Sequence, residues 1–598
     1  MTERSTESPG SPSEGEAAHL GLGRQIGLVV RTIFGSRVRK RVIFVLAGIL
    51  LVVAGTAYGQ IRLNGWNKPF YDALSRRDLR DFLFQLGVFF LIAGFLLCLN
   101  VAQRWLVETL ELRLREGLVL GLLHDWMSPR RAFWLANAGP MGVNPDQRIH
   151  EDSRKLCELS ADLLVGLLQA SILFLTFSGV LWGLSNDFLF RFGDRDFTVP
   201  GFMVWAAIIY ASGGSLLSFW IGRSLIGRNA QRYAREADLR FSLVRVNEHV
   251  DDISLAEGES DEKRRIELHL GNVLAATRRI VRGHANLTWI TAGFGWITLV
   301  APILVAAPLY FSGKVSFGGL MMAAGAFSQA QSSLRWFIDN FSAIADWQAT
   351  LLRVANFRHA LKNIHEPRGF ESRIAYAEGD PGAISIDDLE IVSAANADKL
   401  KETKVIVKSG ERVLILGAPG TGKTQLFRAL AGLWPWGGGT ITRPAGEQIF
   451  YLPRGTPYMP RGTLREVLAY PLKAESFAES AFRAALDRLG LERLAPLLDT
   501  TRRWDRELSQ DEQLCLAIAR ILLQNPPWLL IDGTFGSLDD DVLERVTDVF
   551  TNELQRTAVI HVGGPAQAHP LFGRVLHLVK SARTRRVSPP VNEPGSRE

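Results

Sequence analysis

Long apolar stretches recur through the first half of the chain. A helix needs about 20 apolar residues to cross the hydrocarbon core of a bilayer. Six stretches come close to that length, at residues 42–58, 82–101, 160–184, 201–221, 287–311 and 317–341. The last is the weakest, because Gln329, Gln331 and Arg335 interrupt it. The pattern predicts a membrane α-helical domain with six transmembrane helices.

Two of the intervening segments, 103–158 and 222–285, are too long for simple turns. In the first, Leu112, Leu118 and Leu122 recur at helical spacing. We expect both segments to prolong the membrane helices into the cytosol. Long amphipathic loops are the alternative, and they are less expected because structureless loops of this length are uncommon.

Basic residues predict the orientation, since cytoplasmic loops carry an excess of Lys and Arg. The stretch 31–41, before the first apolar run, holds five of them, and the segment 223–282 is dense in arginine. We therefore expect both termini in the cytosol. The segment 62–81 departs from the rule, because this topology places it outside although it holds Arg76, Arg77 and Arg80. The even number of crossings and the soluble domain that follows outweigh this departure.

A strand, a glycine loop and a helix follow one another in the second half. The apolar run 412–416 leads into GAPGTGKT at 417–424, and a helical pattern follows. This order is typical of a P-loop, in which glycines let backbone N–H groups converge on phosphate oxygens. Kinases and GTPases also carry such loops. The predicted nucleotide-binding residues are Gly417, Gly420, Thr421, Gly422, Lys423 and Thr424.

A second buried strand, 528–531, ends at Asp532. In P-loop proteins an aspartate after such a strand and the Thr of the loop hold magnesium. The predicted metal ligands are therefore Thr424 and Asp532, and the predicted cofactors are ATP and Mg²⁺.

Composition fits a membrane protein with a soluble domain attached. Hydrophobic residues make up 47% of the 598-residue chain. The net charge of +7 is explained by arginines beside apolar segments, so nucleic acid is not an expected partner. The predicted organisation is a disordered tail at 1–22, a transmembrane domain at 23–365, a linker at 366–383, a nucleotide-binding domain at 384–582 and a disordered tail at 583–598.

Four stretches resemble ATP-binding cassette (ABC) half-transporters of the branch that joins SbmA/BacA-like proteins with peroxisomal ABCD-type transporters. They are LNGWNKPFYDALSRRD at 63–78, NPDQRIHED at 144–152, AGLWPWGGGTI at 431–441 and PYMPRGTLREVLAYP at 457–471. The resemblance implies an exporter-type membrane domain fused to a cytosolic α/β P-loop domain. It also implies a dimer in which each ATP lies between one subunit's P-loop and the other's signature motif.

The chain departs from that family at four positions of the hydrolytic site. Gly533 stands where the family has its catalytic glutamate, and Gly564 where it has the switch histidine. Arg454 replaces the Q-loop glutamine, and Asp511 replaces the glycine of the signature motif. We therefore identify no catalytic residue and expect nucleotide binding without efficient hydrolysis. His561, three residues early, is a weak candidate to replace the histidine.

Two interpretations follow from these departures. In the first, the chain is a transporter subunit that moves peptides, hydrophilic compounds or acyl-CoA-like substrates as a homodimer or heterodimer in a bacterial inner membrane. In the second, it is a nucleotide-binding regulatory or scaffold protein, or the inactive half of a heterodimer. The substrate is not identified by Trp205, Trp220, Trp289 and Trp296, which are as consistent with lipid or packing contacts. Arg335 and Asp339 share a helical face and are candidates to line a cavity if they lie at membrane depth.

Overall fold

The computed structural model describes residues 21–35, 37–136, 144–185, 189–192, 195–363, 373–393, 397–533, 538–564 and 571–581. Most of the two predicted terminal tails lies outside these residues. The chain divides into two compact units, Met1–Asn363 and Ile364–Glu598.

The first unit is built from long helices. Within its described residues these are α1 (Leu22–Phe34), α2 (Arg39–Ser75), α3 (Leu79–Trp126), α4 (Arg131–Ala136), α5 (Ser153–Ser185), α6 (Phe202–Glu248), α7 (Val250–Leu255), α8 (Glu259–Phe311), α9 (Phe317–Asp339) and α10 (Phe341–Asn363). A helical turn at Pro145–Gln147 and a π-helical turn at Arg148–Asp152 precede α5, and a hairpin of β1 (Leu189–Phe192) and β2 (Arg195–Thr198) follows it.

Apolar helices form the predicted membrane region. Among the described residues, four helices are long and apolar enough to cross a membrane: α2, α3, the helix ending with α5, and α8. Helix α6 contributes a shorter apolar stretch, Phe202–Gly214. The sixth predicted crossing falls on α9. All six predicted crossings thus lie on helices, and six as the number of crossings stays a prediction.

The two long segments 103–158 and 222–285 are largely helical in their described parts. Helix α3 continues to Trp126, α6 to Glu248, and α8 starts at Glu259, far before its apolar stretch. Ion pairs one turn apart line their exposed faces, including Arg104–Glu108 and Arg265–Asp261. Such pairs stabilise solvated helices. The helical expectation is confirmed, and the alternative of long loops is wrong.

Small side chains bring four of the long helices together. Phe177 of α5, Met203 of α6 and Phe327 of α9 are fully buried in one cluster, with Ala207, Ala306, Ala323, Ala326 and Ala330 beside them. Alanine at a helix interface lets the backbones approach closely. Helices α5, α6, α8 and α9 therefore pack around a common core.

Asp72, near the end of α2, accepts hydrogen bonds at the start of α9. Its carboxylate oxygens lie 2.8 Å from the Gly318 backbone nitrogen and 2.9 Å from Ser316 Oγ. A Cβ on Gly318 would lie only 2.1 Å from the Lys68 carbonyl oxygen, so glycine is required there. A helix N-terminus favours a carboxylate because its first N–H groups lack intrahelical partners. This gives the aromatic-rich stretch 63–78 a structural role.

The second unit is an α/β domain around a large mixed sheet. Its described strands are β3 (Ala375–Gly379), β4 (Ala383–Val392), β5 (Ala397–Leu400), β6 (Lys404–Lys408), β7 (Arg412–Gly417), β8 (Gly437–Pro444), β9 (Ile449–Leu452), β10 (Gly462–Thr463), β11 (Thr501–Arg502), β12 (Trp528–Asp532), β13 (Ala558–Gly563) and β14 (Arg574–Lys580). The main sheet has the order β3-β8-β4-β5-β14-β7-β13-β12-β9, with β6 paired to β4. Strand β3 lies within the predicted linker, so the sheet begins before residue 384.

Helices cover both faces of this sheet. They are α11 (Lys423–Leu430), α12 (Leu464–Ala469), α13 (Glu479–Arg488), α14 (Trp504–Glu507), α15 (Gln510–Gln524) and α16 (Asp540–Asn552). Alternate residues of β12 enter separate cores: Leu529 and Ile531 pack with α15 and α16, whereas Trp528 and Leu530 pack on the α11 side. Period-two alternation into two buried faces is typical of parallel strands in α/β proteins. Strands β14, β7, β13, β12 and β9 form the parallel core of the sheet, in which β12 and β13 are buried along their whole length.

Candidate nucleotide-binding site

The glycine loop lies at the carboxyl edge of the parallel core. Strand β7 ends at Gly417, between β14 and β13, and α11 begins at Lys423. Asp532 ends β12, opposite Val562 of the neighbouring β13. Ligands of open α/β sheets bind outside the carboxyl ends of the strands. The fold thus places the loop and Asp532 on the edge where a nucleotide would bind.

Two glycines of the loop are required by its shape. A Cβ on Gly417 would lie 2.5 Å from Thr421 Oγ1, and Gly420 has a φ of 81°, in the left-handed region. The turn is closed by Thr421, whose hydroxyl donates to the Ala418 carbonyl at 2.7 Å. Lys423 Nζ donates to the Gly417 carbonyl at 2.7 Å. The ammonium group is therefore held over the loop, where terminal phosphates of a nucleotide would lie.

The two predicted metal ligands are in contact. Asp532 is buried and hydrogen-bonded to the side chain of Thr424. Burial raises the pKa of Asp532, and the nearby charges of Arg454, Arg428 and Lys423 oppose that rise. A hydroxyl and a carboxylate fit Mg²⁺, which proteins usually hold through one or two carboxylates together with substrate phosphates. Among the described residues, no group of three or more His, Cys, Asp or Glu side chains could hold a metal.

Asp398 of β5 is a site residue that sequence reasoning missed. Its Oδ2 accepts a hydrogen bond from the Gly422 backbone nitrogen at 3.1 Å. The residue is 2% exposed, and Oδ1 has no hydrogen-bond partner among the residues that the structure describes. The Gly422 N–H is the kind of loop amide that binds phosphate. A buried carboxylate therefore competes with an anionic ligand for this donor.

Arg454 and Gly533, two of the four altered positions, lie side by side. Gly533 has a φ of 63°, and its backbone nitrogen donates to the Val562 carbonyl at 2.8 Å. A Cβ at this position would lie 3.8 Å from Arg454 Cδ and 3.9 Å from Arg454 Nε. The arginine side chain thus lies beside the position predicted to correspond to the family's glutamate.

Gly564 follows β13, at the end of the described segment 538–564. No described heavy atom would lie within 4 Å of a Cβ at this position. His561, the weak candidate to replace the missing histidine, is fully buried within β13 and stacks on Phe572 with ring centroids 5.4 Å apart. Burial lowers the pKa of His561 to about 4. This placement inside the sheet does not support a role for His561 in contacting phosphate.

The signature segment begins α15 through a capping box. Ser509 accepts from the Glu512 backbone nitrogen, and the Glu512 carboxylate accepts from the Ser509 backbone nitrogen. Asp511 lies in the first turn, beside Asp539. Burial, the charge of Asp539 and a hydrogen bond with it all raise the pKa of Asp511. The altered signature position therefore carries the Asp511 carboxyl group, which lies next to the acidic side chain of Asp539.

Comparison with known protein families agrees with this geometry. The family described as ABC transporter transmembrane region 2 matches residues 29–311, and the family described as ABC transporter matches residues 400–536. The chain belongs to the ABC transporter family. It is a fusion of the membrane region and the ATP-binding domain in one polypeptide, and it is a membrane transporter by family. The cassette match ends before Gly564, so the switch position lies outside it.

Similar proteins come from bacteria and plants. The chain is 27% identical to the inner membrane ABC transporter ATP-binding protein YddA of Escherichia coli (strain K12), over 86% of this chain and 90% of that protein. It is 25% identical to ABC transporter D family member 2, chloroplastic, of Arabidopsis thaliana, over 83% of this chain and 78% of that protein. These relatives support the predicted ABCD-type branch.

The four tryptophans and the ion pair singled out in the membrane region are also placed by the structure. Trp205 and Trp220 on α6, and Trp289 and Trp296 on α8, are exposed. Exposed aromatic residues on apolar helices are typical of lipid-facing positions. Arg335 and Asp339 pair with each other at 3.5 Å in the last turn of α9.

Proposed function

We propose that the protein is one half of a dimeric membrane transporter whose cassette binds Mg-ATP. The observation that supports this most directly is the convergence of Lys423, Thr424 and Asp532 at the carboxyl edge of the sheet. Gly417, Gly420, Thr421 and Gly422 would supply the loop around the phosphates, and Thr424 and Asp532 would hold the magnesium ion. The ion would neutralise phosphate charge.

Hydrolysis by a homodimer should be slow. By the resemblance to the family, Gly533 and Arg454 stand in place of a general base and a glutamine. Loss of a general base costs about 10² to 10⁴ in rate. Each ATP would also face Asp511 of the second subunit, whose carboxylate repels the phosphate. We therefore propose that this cassette binds ATP and hydrolyses it slowly.

The defects at Gly533, Gly564, Arg454 and Asp511 also support a second candidate function. Paired with a complete half-transporter, this chain would give one site that lacks its base and one that faces Asp511. Such a heterodimer can still turn over at one site. Alone, the chain would act as a regulatory or scaffold membrane protein that does not pump.

The proposed location is a bacterial inner membrane, with six crossings and both termini in the cytosol. The relative from Escherichia coli is described as an inner membrane protein. Candidate substrates are peptides, hydrophilic compounds or acyl-CoA-like molecules. The partners would be the lipid bilayer, a second half-transporter and the transported substrate. Nucleic acid is not an expected partner.

Nucleotide binding and turnover by the purified full chain test this proposal. Lys423→Ala should weaken ATP binding strongly, because it removes the ammonium group held over the loop. Equal ATP affinity of the wild type and this variant would mean that the loop is not the binding site. Phosphate release should be compared for the chain alone and with any half-transporter encoded beside it. A rise with the partner supports the heterodimer.

A further inference from the structure

Positive charge is concentrated around the single described carboxylate of the metal site. Lys423, Arg428 and Arg454 all act on the Asp532 carboxylate. Magnesium binds through carboxylates and phosphates, and like charges repel it. Because three cationic side chains act on this one carboxylate, Asp532 itself attracts a divalent cation weakly.

Arg454 lies beside the site proposed for the nucleotide. Its Cδ and Nε lie beside Gly533, next to Asp532 and at the edge that carries the loop. The residue is exposed, and among the described residues no hydrogen bond or ion pair holds its guanidinium group. The group can therefore turn towards an anion at this edge without breaking a hydrogen bond or an ion pair among the described residues.

The two neighbouring replacements change the local charge in the same direction. Compared with a glutamine at 454 and a glutamate at 533, Arg454 adds one positive charge and Gly533 removes one negative charge. The total change of two units equals the charge of one Mg²⁺ ion. A guanidinium group also matches phosphate geometry, because it can donate two parallel hydrogen bonds.

We propose that Arg454 binds the terminal phosphates of the nucleotide and supplies positive charge that magnesium otherwise supplies. The cassette then retains nucleotide when no divalent cation is present. This inference rests on the proposed nucleotide binding at the loop and adds to it the metal dependence of that site. It makes Arg454 a nucleotide-binding residue, not a catalytic one.

Equilibrium binding of radiolabelled ATP to the full-length protein in detergent tests the inference. Affinity is measured in excess magnesium and in EDTA, and the ratio of the two dissociation constants is the readout. For the wild type we expect a ratio within about threefold, a free-energy difference well below that of a tenfold change. Arg454→Gln should raise the ratio by about tenfold or more, because it removes a full charge beside the phosphates. Arg454→Lys should give a ratio between the two.

Arg483→Gln is the matched control. Arg483 is an exposed arginine of α13 that pairs with Glu479, so its replacement removes the same charge elsewhere in the cassette. The control should leave the ratio of dissociation constants at the wild-type value.

Three results would overturn the inference, and only one of them also removes the proposed function. Loss of wild-type binding in EDTA, with tight binding in magnesium, would show an ordinary metal-dependent cassette. An unchanged ratio in Arg454→Gln would show that another group supplies the charge. Absence of wild-type ATP binding in both conditions, or equal binding by Lys423→Ala, would remove the proposed nucleotide site itself.

Discussion

Replacing Gly533 by glutamate would return a carboxylate next to Asp532, but the structure predicts that this change alone restores little hydrolysis. The backbone at Gly533 has a φ of 63°. A residue with a Cβ costs about 1–2 kcal/mol in this conformation. The position is open enough to accept the side chain, since the nearest described atoms would lie 3.8 Å from the Cβ. The obstacle is therefore strain rather than overlap.

Arg454 is the larger obstacle to the introduced carboxylate. An arginine within about 4–6 Å lowers a carboxyl pKa by roughly 1–3 units. Each unit corresponds to about 1.4 kcal/mol, so the pairing would weaken the base by about 1.4–4 kcal/mol. A general base contributes about 10² to 10⁴ in rate, or roughly 3–5 kcal/mol. The ion pair with Arg454 would thus offset much of the gain.

Gly533→Glu together with Arg454→Gln should therefore hydrolyse ATP at least about tenfold faster than Gly533→Glu alone. Gly564→His should add to this, because no described atom would lie within 4 Å of a Cβ at residue 564 and a donor near the γ-phosphate stabilises the transition state. Asp511→Gly should give a further gain by removing the carboxylate that faces the phosphate in the dimer.

Phosphate release by each variant in nanodiscs at saturating Mg-ATP measures these differences, with Lys423→Ala as the background. Thermal unfolding of Gly533→Glu reports the strain separately. Equal rates for Gly533→Glu with and without Arg454→Gln would refute the ion-pair argument. A wild type that already turns over like an intact transporter would refute the assignment of a degenerate site.

Three other predictions concern separate features of the chain. Asp398→Asn should tighten ATP binding about tenfold, measured by calorimetry, because it removes a buried negative charge from the Gly422 amide; weaker binding would contradict this. His561 has its folded pKa lowered to about 4, below its usual 6.5, so its contribution to stability is present above pH 6.5 and is lost as the pH falls towards 4. That loss is about 3 kcal/mol. In His561→Phe the free energy of unfolding should therefore change less between pH 6.5 and pH 4 than in the wild type. An unchanged pH dependence would exclude His561 as the cause. A cysteine at the exposed Asp146, in a background without native cysteines, should react with an impermeant thiol reagent only from the cytosolic side; labelling from outside would overturn the topology.

Local patterns in the sequence were sufficient for much of this architecture. The apolar stretches coincide with helices because a long run of apolar residues has few other stable arrangements in a bilayer. The order of strand, loop and helix around Lys423 was sufficient to predict the position of the nucleotide-binding loop, since a P-loop is formed by residues that are adjacent in the chain. Asp532 could be placed beside it because buried parallel strands share a carboxyl edge.

Long-range contacts could not be predicted in the same way. Asp398 reaches Gly422 only because β14 lies between β5 and β7, an order that local spacing does not contain. The left-handed backbone of Gly533 and the approach of Arg454 depend on how two distant segments meet. The sequence predicts that residues are missing from the hydrolytic site, and the structure places Arg454 beside Gly533.

The carboxylate of Asp72 has a consequence for how the membrane unit can move. It joins the end of α2 to the first turn of α9 through Gly318 and Ser316. Pulling the two helices apart at this end would leave a carboxylate and a helix N-terminus without partners, which costs about 1–3 kcal/mol for each unsatisfied group. We therefore expect the two helices to move together as a rigid body at this end. Any hinge of a transport cycle would then lie elsewhere in the bundle.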